Sequence, residues 1–278
     1  MASRIRGSAG VTGTRTAVLM PTLAQAGWDR YVPSLLGQTT PADEIVVVVD
    51  RSTREDERRA LQDRWPALRF VFNNRNLGIT CSLNHGLAAT DAEIVFRADD
   101  DDESLPNRFS RQLACFEATG ADFVATWGEG LAEGGATYQI RSPTDDATIR
   151  AALLRRNMLL HPSLAFRRDR IMSIGGYDET FRYAQDYALY LAGLRADYRF
   201  SVIPEPLVRR HYAAGNITVR RRANQLMYSC AALVAHHAAT GDRAAFLRTI
   251  AHYSVLAATP NWARAARRQV FGLLGRGA

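Results

Sequence analysis

Short apolar runs alternate with amphipathic stretches through the first half of the chain. Thr16–Met20 is apolar and stops at Pro21, which reads as a first buried strand. Ile45–Val49 is a run of five β-branched residues ending at Asp50, the pattern of a strand covered on both faces. Arg69–Phe72 reads as a third strand, followed by the polar turn Asn73–Asn76 and Gly78. Glu93–Arg97 reads as a fourth and runs directly into the acidic stretch Asp99–Asp102. Phe123–Thr126 reads as a fifth. Between these runs, Trp28–Leu36, the charged Arg54–Trp65 and Thr80–Ala89, with Leu83 and Leu87 on one face, have helical spacing. Another helix opens at Pro106, where proline suits a first turn, and continues to about Thr119.

This alternation predicts an α/β fold with a mainly parallel central sheet flanked by helices. In open sheets of this kind, ligands bind beyond the carboxyl ends of the strands. Pro21, Asp50, Asn73–Gly78 and Asp99–Asp102 all fall at such ends, so four separated segments are expected on one rim.

After residue 127 the pattern changes. Gly128–Ile140 is glycine-rich and reads as a loop or hairpin. Asp145–Arg156 and Tyr187–Leu194 read as helices and Ser163–Phe166 as a short strand. Gly175-Gly176 precedes an acidic, aromatic segment, Tyr177–Asp186. Arg199–Ile203 reads as a strand closed by Pro204 and Pro206, with Leu207–Arg210 a further strand. From Arg220 the chain looks all-helical and ends in the basic stretch Arg264–Arg276. The expected divisions are a disordered tail over 1–14, a main domain over 15–215 with halves 15–127 and 128–215, and a helical extension over 216–278.

The acidic run changes the picture from fold to chemistry. Two like charges ~4 Å apart at an effective dielectric near 20 repel by roughly 4 kcal/mol. A solvated turn capping the next helix relieves this with water. At the tip of a buried strand, on a ligand rim, a divalent cation relieves it better. Carboxylate oxygens suit Mg²⁺ or Mn²⁺, and such ions commonly also hold substrate phosphates. A departing diphosphate needs that neutralisation.

Composition adds limits. The 278 residues are 47% hydrophobic, enough for a real core, and the net charge of +7 comes from arginine, since the chain has no lysine. A basic balance suits anionic partners without choosing among them. Cys81, Cys115 and Cys230 lack the spacing of a metal knuckle or redox pair, which points to a reducing cytoplasm. No secretory h-region and no span of ~18–20 apolar residues is evident. The nearest stretch, Leu226–Ala239, is interrupted by His236 and His237.

Several segments together resemble family 2 inverting glycosyltransferases of the GT-A fold, and most closely the bacterial capsule and exopolysaccharide members. They are Asp43-Glu-Ile-Val-Val-Val-Val-Asp50, Asn76-Leu-Gly78, Ser82-Leu-Asn-His-Gly86 and Arg97-Ala-Asp-Asp-Asp-Asp-Glu-Ser-Leu-Pro-Asn-Arg-Phe109. The likeness continues in Asn157, His161-Pro-Ser163, Gly175-Gly-Tyr-Asp178 and Ala184-Gln-Asp186. It covers roughly residues 16–212, and its ordered set is far more specific than any one motif.

The resemblance implies that Pro21 and Thr22 line a nucleotide pocket and that Asp50 accepts from base or ribose. It implies that Asn76 and Gly78 shape the loop beneath, with Arg97 and Asp100 on the nucleotide-sugar side. Asp99 and Asp101 would form the D-x-D pair, Asp101 the more direct metal ligand and Asp102 behind; His211 would either complete the shell or be a partly buried histidine on a rim strand. Asp186 would be the base that takes the acceptor proton; its other reading is a helix N-cap. Gln185 stands where the family usually has Glu. Trp127, Glu129, His161 and Gln185 would face the acceptor, although Trp127 and His161 read equally as structural. Val49-Asp50-Arg51-Ser52 departs from the family's D-D-G-S, so that turn should differ.

The implied donor is a nucleotide-diphosphate sugar, most commonly a uridine one. The implied acceptor is a hydroxyl on a glycan or lipid-linked molecule, in the cytoplasm or at the inner face of the plasma membrane. The basic C-terminus suits an anionic membrane surface, a packed helix or a subunit contact. A nucleotidyltransferase would carry a Gly-rich, Arg- or Lys-bearing loop after the first strand, and Pro21–Gly27 is not one. A sugar-binding module without catalysis is disfavoured by the intact Asp99, Asp101 and Asp186. Nucleic acid is not expected as a partner, since no recognition motif supports it and acids on the rim would repel phosphate unless a metal intervened.

Overall fold

The computed structural model describes residues 13–24, 27–131, 135–211 and 222–258. The basic stretch Arg264–Arg276, the 215/216 boundary and most of the expected N-terminal tail lie outside the described residues. The first half is β1 (Thr16–Thr22), α1 (Trp28–Leu36), β2 (Glu44–Val49), α2 (Glu55–Arg64), β3 (Arg69–Phe72), α3 (Ile79–Ala89), β4 (Ile94–Arg97), β5 (Asp102–Ser104) and α4 (Arg108–Thr119). There follow β6 (Phe123–Leu131), β7 (Thr137–Ile140), α5 (Asp146–Leu153), a 3₁₀ turn (His161–Ser163), β8 (Ala165–Arg167) and α6 (Arg168–Ser173). The last described elements are α7 (Gln185–Arg195), β9 (Phe200–His211), α8 (Arg222–Thr240) and α9 (Arg243–Ala258).

One nine-stranded sheet runs in the order β3-β2-β1-β4-β8-β6-β9-β5, with β7 on β6. β1 to β4 pair in parallel, as expected. Alternate residues feed two cores: Leu19, Val46 and Val48 face α3, and Val18, Met20, Val47 and Val49 face α1 and α4. That period of two, with apolar residues on both sides, is why these strands read as continuous apolar runs.

The second half corrects the sequence picture in three places. First, β8 comes from far along the chain and lies antiparallel between β4 and β6, so the fourth and fifth expected strands are not neighbours. Second, the acidic run does not remain a loop. Its end becomes β5, antiparallel to β9, with Asp102 opposite Arg210 and Glu103 opposite Arg209. Opposite charges directly across a ladder stabilise such a pair. Third, Pro204 and Pro206 do not close a strand. β9 runs through both, and its pairing with β6 shifts register on either side of Trp127, which faces Pro206. A bulge is where a ladder tolerates a missing N–H. The glycine-rich segment is a hairpin, β6 with β7.

At the other end, α8 packs on α7 and α9 on α8, with Tyr228 against Phe181 and Tyr183. No helix of the described residues is long and apolar enough to cross a membrane.

Helix α3 sits so close to β1 that a Cβ on Gly86 would lie 2.0 Å from Leu19 Cδ1 and 3.1 Å from Val48 Cγ2. Gly86→Ala is expected to destabilise the protein by about 1–3 kcal/mol. Urea denaturation checks this, and an unchanged midpoint would refute the close contact.

Candidate active site

The rim begins with Asp50, buried at the end of β2. Its Oδ1 accepts from Asn73 Nδ2 and Leu77 N, and its Oδ2 from Gly78 N, all at 2.8 Å. The carboxylate thus fixes the turn after β3, and Oδ2 retains one lone-pair position. Gly78 holds φ +93°, a conformation that favours glycine. Asn73 extends the network to Ser82 Oγ (3.0 Å) and His85 Nδ1 (2.8 Å). Asn76 is exposed.

The acidic run divides. Asp99, Asp101 and Asp102 bring one carboxylate oxygen each to within 4.8 Å of one another. Asp100 turns to β1 and accepts from Thr22 Oγ1. Behind the cluster stand two fully buried arginines. Arg97 pairs with Asp99 and donates to the Ala98 carbonyl. Arg108 donates to the Arg97 carbonyl (2.6 Å), the Leu164 carbonyl (3.2 Å), Ser104 Oγ (2.9 Å) and Gln112 Oε1 (3.1 Å). Gln112 in turn donates to the carbonyls of Val124 and Ser163. These two layers tie β4, β5, β6 and the segment entering β8 to α4.

Electrostatics separate the acids. Burial alone would raise Asp99, but Arg97, with Arg210, holds it below the usual carboxylate range. Burial and the charges of Asp99 and Asp100 push Asp101 up to about 6. Burial and Asp99 push Asp102 up to about 8, against the pull of Arg210. Asp102 Oδ2 accepts no hydrogen bond among the described residues, although Arg210 Nε lies 3.3 Å away. Burial and the neighbouring Arg97 lower Arg108 to about 9. A set of clustered hard oxygens, two of them costly to ionise and one without a donor, fits a small divalent cation.

Asp186 lies in the first turn of α7, after Ala184, which takes the left-handed conformation at φ 53°. Ala184, not Asp186, is the N-cap, so the capping reading of Asp186 falls. Asp186 Oδ2 accepts from Asn157 Nδ2 at 2.7 Å and Oδ1 from Tyr187 N at 2.8 Å. Burial raises its pKa, the bonds from Asn157 and Tyr187 oppose that, and the charge of Asp99 adds to the rise. The two acidic centres therefore feel each other. Asn157 Oδ1 is buried and has no hydrogen-bond partner among the described residues.

The remaining expected residues divide as well. His161 is buried, with Nε2 3.0 Å from Tyr177 Oη; burial and Arg97 lower it to about 3, so it stays neutral. Gln185 is buried beside Asp186. Trp127 donates to the Ser142 carbonyl at 2.8 Å, lies under Arg141 at 5.0 Å and packs on the core. Glu129 pairs with Arg209 at 2.7 Å, and Arg209 also reaches Glu103 at 3.2 Å. His211 is not in the three-carboxylate group; its Nε2 is 3.7 Å from Glu103 and its ring rests on Tyr31. Sequence reading missed the roles of Asn73, Arg108 and Gln112. Arg108 stood in the quoted Pro-Asn-Arg-Phe segment, but nothing in its pattern says that a charge there is buried.

Known proteins resemble this chain in sequence and in fold. Residues 20–187 match the model of Glycosyl transferase family 2. The amylovoran biosynthesis glycosyltransferase AmsE of Erwinia amylovora is 29% identical over 207 residues, 71% of this chain and 75% of that one. The UDP-Gal:alpha-D-GlcNAc-diphosphoundecaprenol beta-1,3-galactosyltransferase of Escherichia coli is 27% identical over 202 residues, 68% of this chain and 69% of that one. Among solved structures, S. aureus TarS 1-349 in complex with UDP-GlcNAc superposes with TM-score 0.64 at 16% identity, over 80% of this chain and 66% of that one. The TarS likeness carries the GT-A fold.

Among the described residues, Asn157 is the one side-chain donor to Asp186. Asn157→Ala is expected to raise the Asp186 pKa further, since the bond from Asn157 favours the ionised form. Carboxyl-carbon NMR titration reads this directly; an unmoved or lowered pKa would contradict it.

Proposed function

The chain belongs to glycosyl transferase family 2, and on that premise we propose that it is an inverting transferase acting on a nucleotide-diphosphate sugar. The observation that carries this reading is the convergence of Asp99, Asp101 and Asp102 at the end of β4, within the field of the separate carboxylate Asp186.

Asp99 and Asp101, with Asp102 behind, would hold Mg²⁺ or Mn²⁺. When bound, the cation neutralises the donor diphosphate as it leaves. His211 would add a ligand after turning from Glu103, because the β5–β9 register carried one step further sets it across from Asp101. Thr22, Asp50, Asn76 and Gly78 would line the nucleotide side. Pro21, Arg97 and Asp100 would shape that side, Asp100 through its bond to Thr22.

Asp186 takes the proton of the acceptor hydroxyl as that oxygen bonds to the anomeric carbon. The bond to the diphosphate oxygen breaks with its electron pair on the leaving group. One displacement inverts the carbon, and one base suffices. Asn157 and the Tyr187 N–H hold the carboxylate in place, and a raised pKa makes it a stronger proton acceptor than a solvated aspartate. Gln185 and His161 would face the acceptor, with Trp127 and Glu129 acting chiefly through packing and ion pairing.

The inferred donor is a uridine diphosphate sugar, the donor in the name of the E. coli relative and the ligand of the TarS complex. The inferred acceptor is a hydroxyl on a glycan or lipid-linked saccharide. Three free cysteines support a reducing, cytoplasmic setting.

Nucleotide release from a panel of nucleotide sugars, with and without acceptor, tests the reading, and turnover is expected only with Mg²⁺ or Mn²⁺. Asp186→Asn should keep donor binding and lose transfer by about 100- to 10,000-fold. Full transfer by that variant would remove Asp186 as base, and undiminished turnover of Asp101→Ala in chelator would remove the metal.

Stability gives a second readout. Raised carboxyl pKa values mean that the folded protein keeps protons the unfolded chain has lost. The contribution of Asp101 and Asp102 is therefore present below about pH 4 and falls as pH rises through about 6 and about 8. A bound cation removes that penalty. The rise in Tm with added Mg²⁺ should be larger at pH 8 than at pH 6, and equal rises would speak against these ligands.

A further inference from the structure

The described C-terminal helices carry a face that the sheet does not use. α9 turns Ala245 and Thr249 inward, with Phe246 and Tyr253 half-buried. Its opposite side exposes Leu247 (66%), Ile250 (41%) and Val255 (66%), with the small Ala251 and Ser254 between them. These positions follow the helical period and make one stripe. Arg243, Arg248 and His252 are exposed beside it.

Charge is distributed unevenly along the chain. Residues 220–278 contain nine arginines and a single acid, Asp242, a formal charge of +8; the whole chain is +7, which leaves −1 for residues 1–219. Asp242 is itself engaged at the start of α9, where its Oδ1 accepts from Ala245 N at 2.9 Å. An exposed apolar stripe within a strongly cationic segment has two physical requirements: burial of its aliphatic groups and a negative surface. A second copy of the same face supplies the first and opposes the second. An anionic lipid surface supplies both.

We propose that α9 lies on an anionic membrane surface, with Leu247, Ile250 and Val255 at the acyl boundary and Arg243 and Arg248 among the headgroup phosphates. This gives the transferase reading a location but does not rest on it, since vesicle binding and sugar transfer are measured separately.

The test uses the full chain with phosphatidylcholine vesicles, with and without phosphatidylglycerol, in a flotation assay. Binding is expected only with phosphatidylglycerol and should weaken steeply with salt. Leu247→Ser/Val255→Ser and Arg243→Gln/Arg248→Gln should each weaken partition roughly ten-fold or more, with unchanged Tm and unchanged donor hydrolysis. Both pairs are surface residues, so loss of binding in a folded variant is decisive. The proposal is overturned by equal binding to both vesicle types, by no binding to either, or by variants that bind like the parent, which would leave residues 259–278 as the sole anchor. It is equally overturned if the parent is a dimer by sedimentation and the Leu247/Val255 variant a monomer, since the face would then be a contact between copies.

Discussion

Burial of two guanidinium groups behind a row of carboxylates is the constraint on which this structure turns. Arg97 and Arg108 are fully buried, yet among the described residues only Arg97 has a direct carboxylate partner. Arg108 is held by two main-chain carbonyls, a serine and a glutamine, drawn from four segments. A buried charge is tolerated when hydrogen bonds and opposite charge replace its water. Here the opposite charge is the acid cluster, and the acid cluster is tolerable because the arginines lie behind it. Each half offsets part of the cost of burying the other. The same bonds close the sheet, since Arg108 reaches the strand end of β4 and the entry to β8, which are neighbours only in the folded state.

That dependence explains what could be read in advance. β1 to β4 and α1 to α4 were legible because each element's signal is local: a period of two with both faces apolar, or a period of 3.6 with one. β5 was not, because Asp102–Ser104 has no strand signal of its own. It becomes a strand only when Arg210 and Arg209 arrive opposite it, more than a hundred residues later. β8 has three residues and takes its place from the gap between β4 and β6. β9 was split at Pro204 and Pro206, although the bulge beside Trp127 lets both stay in the ladder. Long-range partners decided each case.

The site followed the same division. The position of Asp99–Asp102 at a strand end was legible, and so was its nearness to Asp50 and the Asn73–Gly78 turn. What each side chain does there was less so. Asp50 spends three of its accepting positions on the backbone and Asn73, and Asp100 turns away to Thr22. Four adjacent aspartates therefore act as three and one. Asn157 and Asp186, 29 residues apart, meet at 2.7 Å, a contact that no spacing rule announces.

The charge balance bears on how a diphosphate could enter. Arg97 is bound to Asp99 and a carbonyl, Arg108 is wholly enclosed, Arg209 bridges Glu103 and Glu129, and Arg210 lies against Asp102. These four cations of the described residues are thus directed at the protein's own acids and carbonyls. An incoming diphosphate brings further negative charge to a place where Asp101 and Asp102 already resist ionisation. On the proposed reading, that charge must be met by a divalent cation bound in the same cluster, so cation and donor should bind cooperatively. Asp186 then gains as well: neutralising the cluster relieves the part of its raised pKa that comes from Asp99, while the part due to burial remains. On the same reading a base at Asp186 would become easier to deprotonate when the site is loaded, which would link its readiness to the presence of the donor.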